Sequence, residues 1–96
     1  MFKGTVLLTD TGVHAFTKNP LSKAESMILW HLVSNLPSSG AVVENAELSE
    51  SLKITRTRVS QTMKYLCEIG FLIRGAKFGV SYHYKINPSF IRVLNT

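Results

Sequence analysis

The sequence predicts an α+β fold in which three helices are followed by an antiparallel β-hairpin. Apolar residues recur at helical spacing from about residue 23 to residue 69. After Gly70 the spacing changes to the strict alternation of a half-buried β-strand. The chain has 96 residues, so we expect residues 1–96 to form a single domain around one hydrophobic core.

The N-terminal segment predicts a β-hairpin. Residues 5–8 and 13–16 are strand-like, and the intervening Thr9-Asp10-Thr11-Gly12 has the composition of a turn. We therefore expect residues 3–16 to form two paired strands, within an extension that covers residues 1–20. An isolated hairpin is marginally stable in water, so this one is expected to pack on its own domain or on a second subunit.

Two helices and a short strand are expected next. Ser22-Lys23-Ala24-Glu25 fits a capping box and predicts a helix from about Lys23 to Asn35, with Trp30 in the core. The segment 41–43 is short, apolar and bounded by turn residues, which favours a strand. Asn45 is the expected cap of a helix that continues to about Leu52.

A third helix and the hairpin complete the prediction. Thr55 is expected to cap a helix over 56–69, and Gly70 occupies the position where a helix commonly ends with positive φ. The hairpin spans 72–86, with a turn at 75–79 and a return strand in which Tyr82 and Tyr84 face the core. Asn87-Pro88 predicts the start of a short terminal helix.

Charge is segregated along the chain. The net charge is +5, yet residues 53–85 hold seven Lys and Arg against one Glu, whereas residues 1–52 are net acidic. Segregated positive charge indicates a polyanionic partner, of which nucleic acid is the commonest inside cells.

The third helix has a polar face opposite its apolar one. Arg, Lys, Gln, Ser and Thr are side chains that read base edges or contact phosphates in a major groove. The helix and its cap provide seven such candidates: Thr55, Arg56, Thr57, Arg58, Ser60, Gln61 and Lys64. The hairpin adds five more, expected on the backbone or in the minor groove: Arg74, Lys77, Ser81, His83 and Lys85.

This order of elements is that of a winged helix-turn-helix core over residues 22–88. The stretch 45–74, NAELSESLKITRTRVSQTMKYLCEIGFLIR, resembles winged helix-turn-helix regulators of the MarR type. The ending Tyr84-Lys85-Ile86-Asn87-Pro88 resembles the small replication-initiator proteins of bacterial plasmids. The resemblance implies that Thr55, Arg56, Thr57, Ser60, Gln61 and Lys64 read DNA and that Lys77 is the wing contact. Two features depart from these families: Lys53 replaces a frequent glycine, and the long terminal helices through which MarR-type proteins dimerise are missing.

We therefore expect a cytoplasmic, sequence-specific binder of double-stranded DNA, a homodimer that acts in transcription or in plasmid or phage replication or maintenance. No membrane segment, metal-ligand spacing, cofactor motif or catalytic constellation is visible, so we do not expect an enzyme. The single Cys67 is expected to be a small buried residue. The alternative is a protein-docking module that uses the same fold without reading DNA.

Overall fold

The structure is a computed structural model that describes residues 4–95. It is an α+β fold. The described residues form nine elements, in the order β1 Gly4–Leu8, α1 Asp10–Lys18, α2 Lys23–Asn35, β2 Ala41–Val43, α3 Asn45–Leu52, α4 Arg56–Glu68, β3 Leu72–Phe78, β4 Ser81–Ile86 and β5 Ile91–Asn95. Over these residues no helix is long and apolar enough to cross a membrane.

The strands form two small antiparallel sheets. One has the order β2-β4-β3, with Val43 opposite Tyr82 and Leu72 opposite Ile86. The other joins the two ends of the described chain. In it β1 pairs with β5, from Leu8 opposite Ile91 to Gly4 opposite Asn95. The hairpin predicted for residues 72–86 is confirmed, although β3 runs through Phe78 and the turn is at Gly79 and Val80 rather than at 75–79.

A single cluster of buried apolar side chains lies where α2, α4 and the start of β3 meet. Its most enclosed large members are Phe71, Ile28, Leu29, Met63, Leu66 and Ile91. A row of aromatic rings extends this cluster toward the chain ends. Phe16 of α1 packs on Phe71 with ring centroids 4.4 Å apart, and Phe90 meets Phe71 edge-on at 5.1 Å. The aromatic row thus joins α1 and the turn before β5 to Phe71, which lies between α4 and β3.

Local signals define the start of α2 and both ends of α4 as the sequence predicts. Ser22 and Glu25 form the complete capping box at the start of α2, and the Thr55 side chain accepts from the Arg58 amide at the start of α4. Gly70 has φ +98°, and a Cβ there would lie 2.7 Å from the Phe90 ring. Glycine is therefore required at residue 70 both for the backbone conformation and for the close approach of Phe90.

The caps of α3 and α4 differ slightly from the prediction. Asn45 is the first residue of α3, and Glu44 occupies the N-cap without a side-chain hydrogen bond. The last helical residue of α4 is Glu68, and Ile69 is its C-cap. Between the two helices Lys53 adopts the left-handed conformation with φ 55°.

The predicted hairpin over residues 3–16 is wrong. Only its first strand exists, and Asp10–Lys18 is a helix; Lys3 lies outside the described residues. Thr9 is the helix cap, since its Oγ1 accepts from the Gly12 amide at 3.1 Å. The residues interpreted as a turn are therefore the first turn of a helix, and β1 obtains its partner from the far end of the chain.

The predicted terminal helix at Asn87 and Pro88 is also wrong. The segment is a turn that leads into β5, and Asn87 anchors it. The Asn87 Nδ2 donates to the Gly70 carbonyl at 2.8 Å, and its Oδ1 accepts from the Ser89 amide at 3.0 Å. Asn87 satisfies backbone groups at the end of α4 and in its own turn, which is a use of asparagine that competes with helix capping.

The prediction that Trp30 lies in the core is wrong as well. Trp30 is 40% exposed and stacks on Phe16 with ring centroids 5.9 Å apart. The neighbouring Ile28 and Leu29 occupy the buried side of α2, so Trp30 falls on the flank that α1 covers only in part.

Candidate nucleic-acid interface

A groove of about 510 Å³ lies between α4 and the β3–β4 hairpin, with the start of α3 at one end. Six charged or polar residues predicted from the sequence line it: Arg56, Ser60, Gln61, Lys64, Arg74 and Ser81. The structure thus brings side chains of α4 together with side chains of the β3–β4 hairpin that follows it in the chain.

Helical periodicity explains how α4 presents this side. Val59, Thr62, Met63 and Leu66 are buried, and they fix one face of the helix against α2 and α3. At about 100° per residue, Thr57, Gln61 and Lys64 fall on the opposite side, and Arg56 and Ser60 lie on the flank toward the hairpin. All five are exposed, so the polar face is available to a partner.

A β-bulge determines which side of the hairpin is basic. Arg74 is opposite Tyr84 and Lys77 is opposite Tyr82, with a shift of register between them. Residues three apart on a regular strand would face opposite sides of the sheet. The extra residue in the Gly75-Ala76 segment places both Arg74 and Lys77 on the side of Tyr82 and Tyr84, because directly opposed residues share a face.

The two cations meet the Tyr82 ring. The Arg74 guanidinium carbon lies 4.6 Å from the ring centroid and the Lys77 Nζ lies 5.7 Å from it. Both distances are within the range of a cation–π interaction. Tyr82 is half-buried, so its ring holds two positive charges at the side of the groove while remaining accessible.

Tyr84 lies deeper and is a core residue, as predicted, at 5% exposed. Burial raises the pKa of the Tyr84 phenol, and the neighbouring Arg74 guanidinium partly opposes that rise. Tyr84 therefore keeps its proton at neutral pH and contributes no negative charge to the basic side of the hairpin.

Several predicted residues lie outside the groove. Thr55 is committed to capping α4, and the Arg58 Nη2 donates to Ser22 Oγ at 3.1 Å, at the start of α2. His83 and Lys85 alternate with Tyr82 and Tyr84 and so belong to the other face of the sheet, where Gly75 closely approaches His83. Thr57 is exposed on the side of α4 that faces away from the core. Lys77 does not line the groove, and its Nζ lies over the ring of Tyr82, which does.

Other residues of the groove were not identified from the sequence. Glu44, Asn45 and Ala46, at the start of α3, close one end of it, and Val80 and Tyr82 line the hairpin side. Glu44 is the one acidic residue of a lining that also holds Arg56, Lys64 and Arg74, so the groove has one negative residue among three positive ones. The bulge had a signal, because a glycine inside a strand often marks one, but Gly75 was interpreted as the start of the turn.

Residues 4–95 contain no cluster of three or more His, Cys, Asp or Glu side chains that could hold a metal ion. Cys67 is half-buried and burial raises the pKa of its thiol. Comparison of the chain with protein-family models, with curated proteins and with solved structures found no match.

Proposed function

We propose that this chain is a winged helix-turn-helix domain that binds double-stranded DNA in a sequence-specific way. In this proposal α4 is the recognition helix in the major groove, and the β3–β4 hairpin is the wing on the adjacent backbone or minor groove. The observation that supports it best is the shared groove, in which Arg56, Gln61 and Lys64 of α4 face Arg74 of the hairpin.

The dimensions and chemistry of α4 fit this role. An α-helix with its side chains is about 10–12 Å across, and the major groove of B-DNA is about 12 Å wide. Gln61 can pair with an adenine edge and Arg56 with a guanine edge, while Lys64 and Ser60 can contact phosphates. The free amides at the start of α4 add attraction for a phosphate.

We further propose a cytoplasmic homodimer that acts in transcription or in plasmid or phage replication or maintenance. Two domains on half-sites about one helical turn apart would multiply the affinity of one. A light-scattering mass that matches the monomer, both free and on DNA, would contradict the dimer.

The decisive experiment is selection from a random duplex pool at about 150 mM salt, followed by a salt titration on the selected sequence. Specific recognition is expected to enrich a motif, and a repeat with half-sites about 10 base pairs apart would also report the dimer. No enrichment, together with weak and steeply salt-dependent binding, would contradict sequence-specific recognition.

The competing function is a protein-docking module. The double charge reversal Arg56→Glu with Lys64→Glu separates the two, with Lys18→Glu and Lys23→Glu as the matched control on exposed residues of α1 and α2. DNA recognition predicts loss of binding and of biological activity in the first pair only. Full biological activity after reversal in the groove would favour docking.

A further inference from the structure

The tip of the β3–β4 hairpin is apolar and exposed. Phe78 is 58% exposed and Val80 is 95% exposed, and Gly79 between them turns the chain with φ +65°. β2 ends opposite Tyr82, so the last pair of the hairpin, Phe78 and Ser81, projects beyond the three-stranded sheet. We call Phe78, Gly79 and Val80 the hairpin tip.

Turn chemistry does not account for the apolar residues of the tip. Glycine at the first central position satisfies a two-residue turn with one positive φ. Asn, Asp, Ser and Gly are the residues that such turns favour, whereas valine is β-branched and apolar. At 95% exposure Val80 makes almost no contact with its own domain, so folding does not explain it either.

The surroundings of the tip are basic. Lys77 immediately precedes Phe78, and because of the bulge Arg74 lies on the same face of the hairpin as Lys77. Val80 borders the groove beside α4 while its side chain stays almost fully exposed. A partner that fits must be anionic on its surface and apolar within reach of the tip, and the minor groove of duplex DNA has phosphate walls and stacked bases between them.

We propose that the hairpin tip inserts Val80 and Phe78 into the minor groove beside α4, where they partly unstack a base step and bend the duplex. This inference rests on the proposed function and goes beyond it, because it assigns an apolar contact and a deformation of the DNA. Apolar wedges of this kind kink a duplex by opening one base step. Steps that open at low energetic cost, such as TA and CA/TG, are therefore favoured at that position.

Salt dependence distinguishes this contact from the cationic ones. Apolar insertion releases no counterions, so its loss lowers affinity while the slope of log K against log salt stays constant. Loss of Lys77 lowers that slope by about one unit.

The test uses the full chain and the selected duplex, with Val80→Ser and Phe78→Ser combined. The matched control is Ile73→Ser, an apolar residue of the same hairpin that is 42% exposed and lies away from the tip, opposite Lys85. The readouts are affinity over a range of salt, fluorescence of 2-aminopurine placed in the minor-groove step, and end-to-end energy transfer as a measure of bending.

We expect the tip variant to bind about tenfold more weakly, with an unchanged salt slope, a smaller bend and no rise in 2-aminopurine fluorescence. The control keeps the wild-type affinity, salt slope, bend and fluorescence, and both variants are assayed below their measured unfolding temperatures. Wild-type affinity, bend and fluorescence in the tip variant overturn the inference and leave the proposed function intact. The same holds if the tip variant instead changes the mass of the free protein, since a second copy would then cover the tip.

A wild-type chain that binds no duplex overturns the proposed function, and this inference with it. A reduced salt slope in the tip variant overturns only the apolar contact, because it shows that the substitutions act through the neighbouring charges.

Discussion

The Arg74 guanidinium lies over the Tyr82 ring, with its carbon 4.6 Å from the centre of the phenol ring. The contact crosses from β3 to β4 and depends on the bulge that turns both Arg74 and Lys77 toward the same ring. A guanidinium that is held over a ring loses fewer conformations when it binds a phosphate, because the ring already limits its motion.

Replacement of the ring is expected to weaken DNA binding through Arg74. Tyr82→Leu removes a cation–π contact of about 0.5–1 kcal/mol and lowers affinity about two- to fivefold. Tyr82→Phe retains the ring and is expected to bind as the wild type does. Fluorescence anisotropy on the selected duplex measures both, and equal affinities for Tyr82→Leu and Tyr82→Phe would show that the ring does not position Arg74.

Base readout and phosphate contact are expected to separate between Gln61 and Lys77. Gln61→Ala should cost about 1–3 kcal/mol on the preferred sequence and relax the preference at one position, if Gln61 reads a base. Lys77→Ala should weaken binding to every sequence and lower the salt slope by about one unit. Competition assays with single-base variants of the site measure this, and a uniform loss for both substitutions would contradict readout by α4.

The helices α2, α3 and α4, and the N-caps of α2 and α4, could be predicted from the sequence because their causes are local. Ser22 with Glu25, Thr55, and Gly70 each act within a few residues of where they stand. The partner of β1 could not be predicted, since Leu8 meets Ile91 across the whole chain and no neighbouring residue reports that. Helix caps and turns favour the same residue types, so the segment 9–12 was compatible with a hairpin turn and with the start of a helix.

The candidate site was predicted in part for the same reason. The face of α4 follows from helical spacing, and Arg56, Ser60, Gln61 and Lys64 do share the groove. The prediction that His83 and Lys85 belong to the same surface is wrong, because the register of the sheet places them on its other face. Glu44 lines the groove because α3 begins there. The packing of α3 against α4 places the start of α3 beside the groove.

Stability is expected to rise when Lys53 is replaced by glycine. Lys53 has φ 55°, a conformation that costs an L-residue about 1–2 kcal/mol. Glycine adopts it freely but loses more entropy on folding, so Lys53→Gly should gain about 0.5–1 kcal/mol. Urea unfolding measures the gain, and Lys53→Ala is the control, because it removes the charge and keeps the strain. An equal gain in both variants would assign the effect to charge.

Asn87→Ala is expected to destabilise the fold by about 1–3 kcal/mol. The substitution removes the partly buried bond to the Gly70 carbonyl and the exposed bond from the Ser89 amide, and leaves the Gly70 carbonyl without its side-chain partner. Asn35→Ala is the matched control, since the Asn35 side chain makes one exposed bond within its own helix. Similar unfolding free energies for the two variants would contradict an anchoring role for Asn87.

The free energy of unfolding is expected to fall as the pH rises above 9.0, the ordinary pKa of a cysteine thiol. Burial raises the pKa of Cys67 and of Tyr84 in the folded chain, so the unfolded chain loses these protons first. Stability that is fully present below the unfolded pKa values is therefore lost progressively through the folded ones. Urea midpoints at about pH 7 and about pH 10 measure the loss.

Cys67→Ala isolates the contribution of the thiol to this pH dependence. The variant is expected to lose less stability between the two pH values than the wild type, because one of the two shifted groups is gone. Identical losses in the two proteins would show that Cys67 ionises equally in the folded and unfolded chains.

The pairing of β1 with β5 also sets the order of events during synthesis. Ile91 follows its partner Leu8 by 83 residues, so at about 5–20 residues per second β1 waits about 4–17 s for β5 to be made. Throughout that interval Val6, Leu7 and Leu8 have no strand beside them. A nascent chain stalled before Ile91 is therefore expected to stay sensitive to proteases at β1, which is made before the other elements of the fold and is among the last to reach its final place.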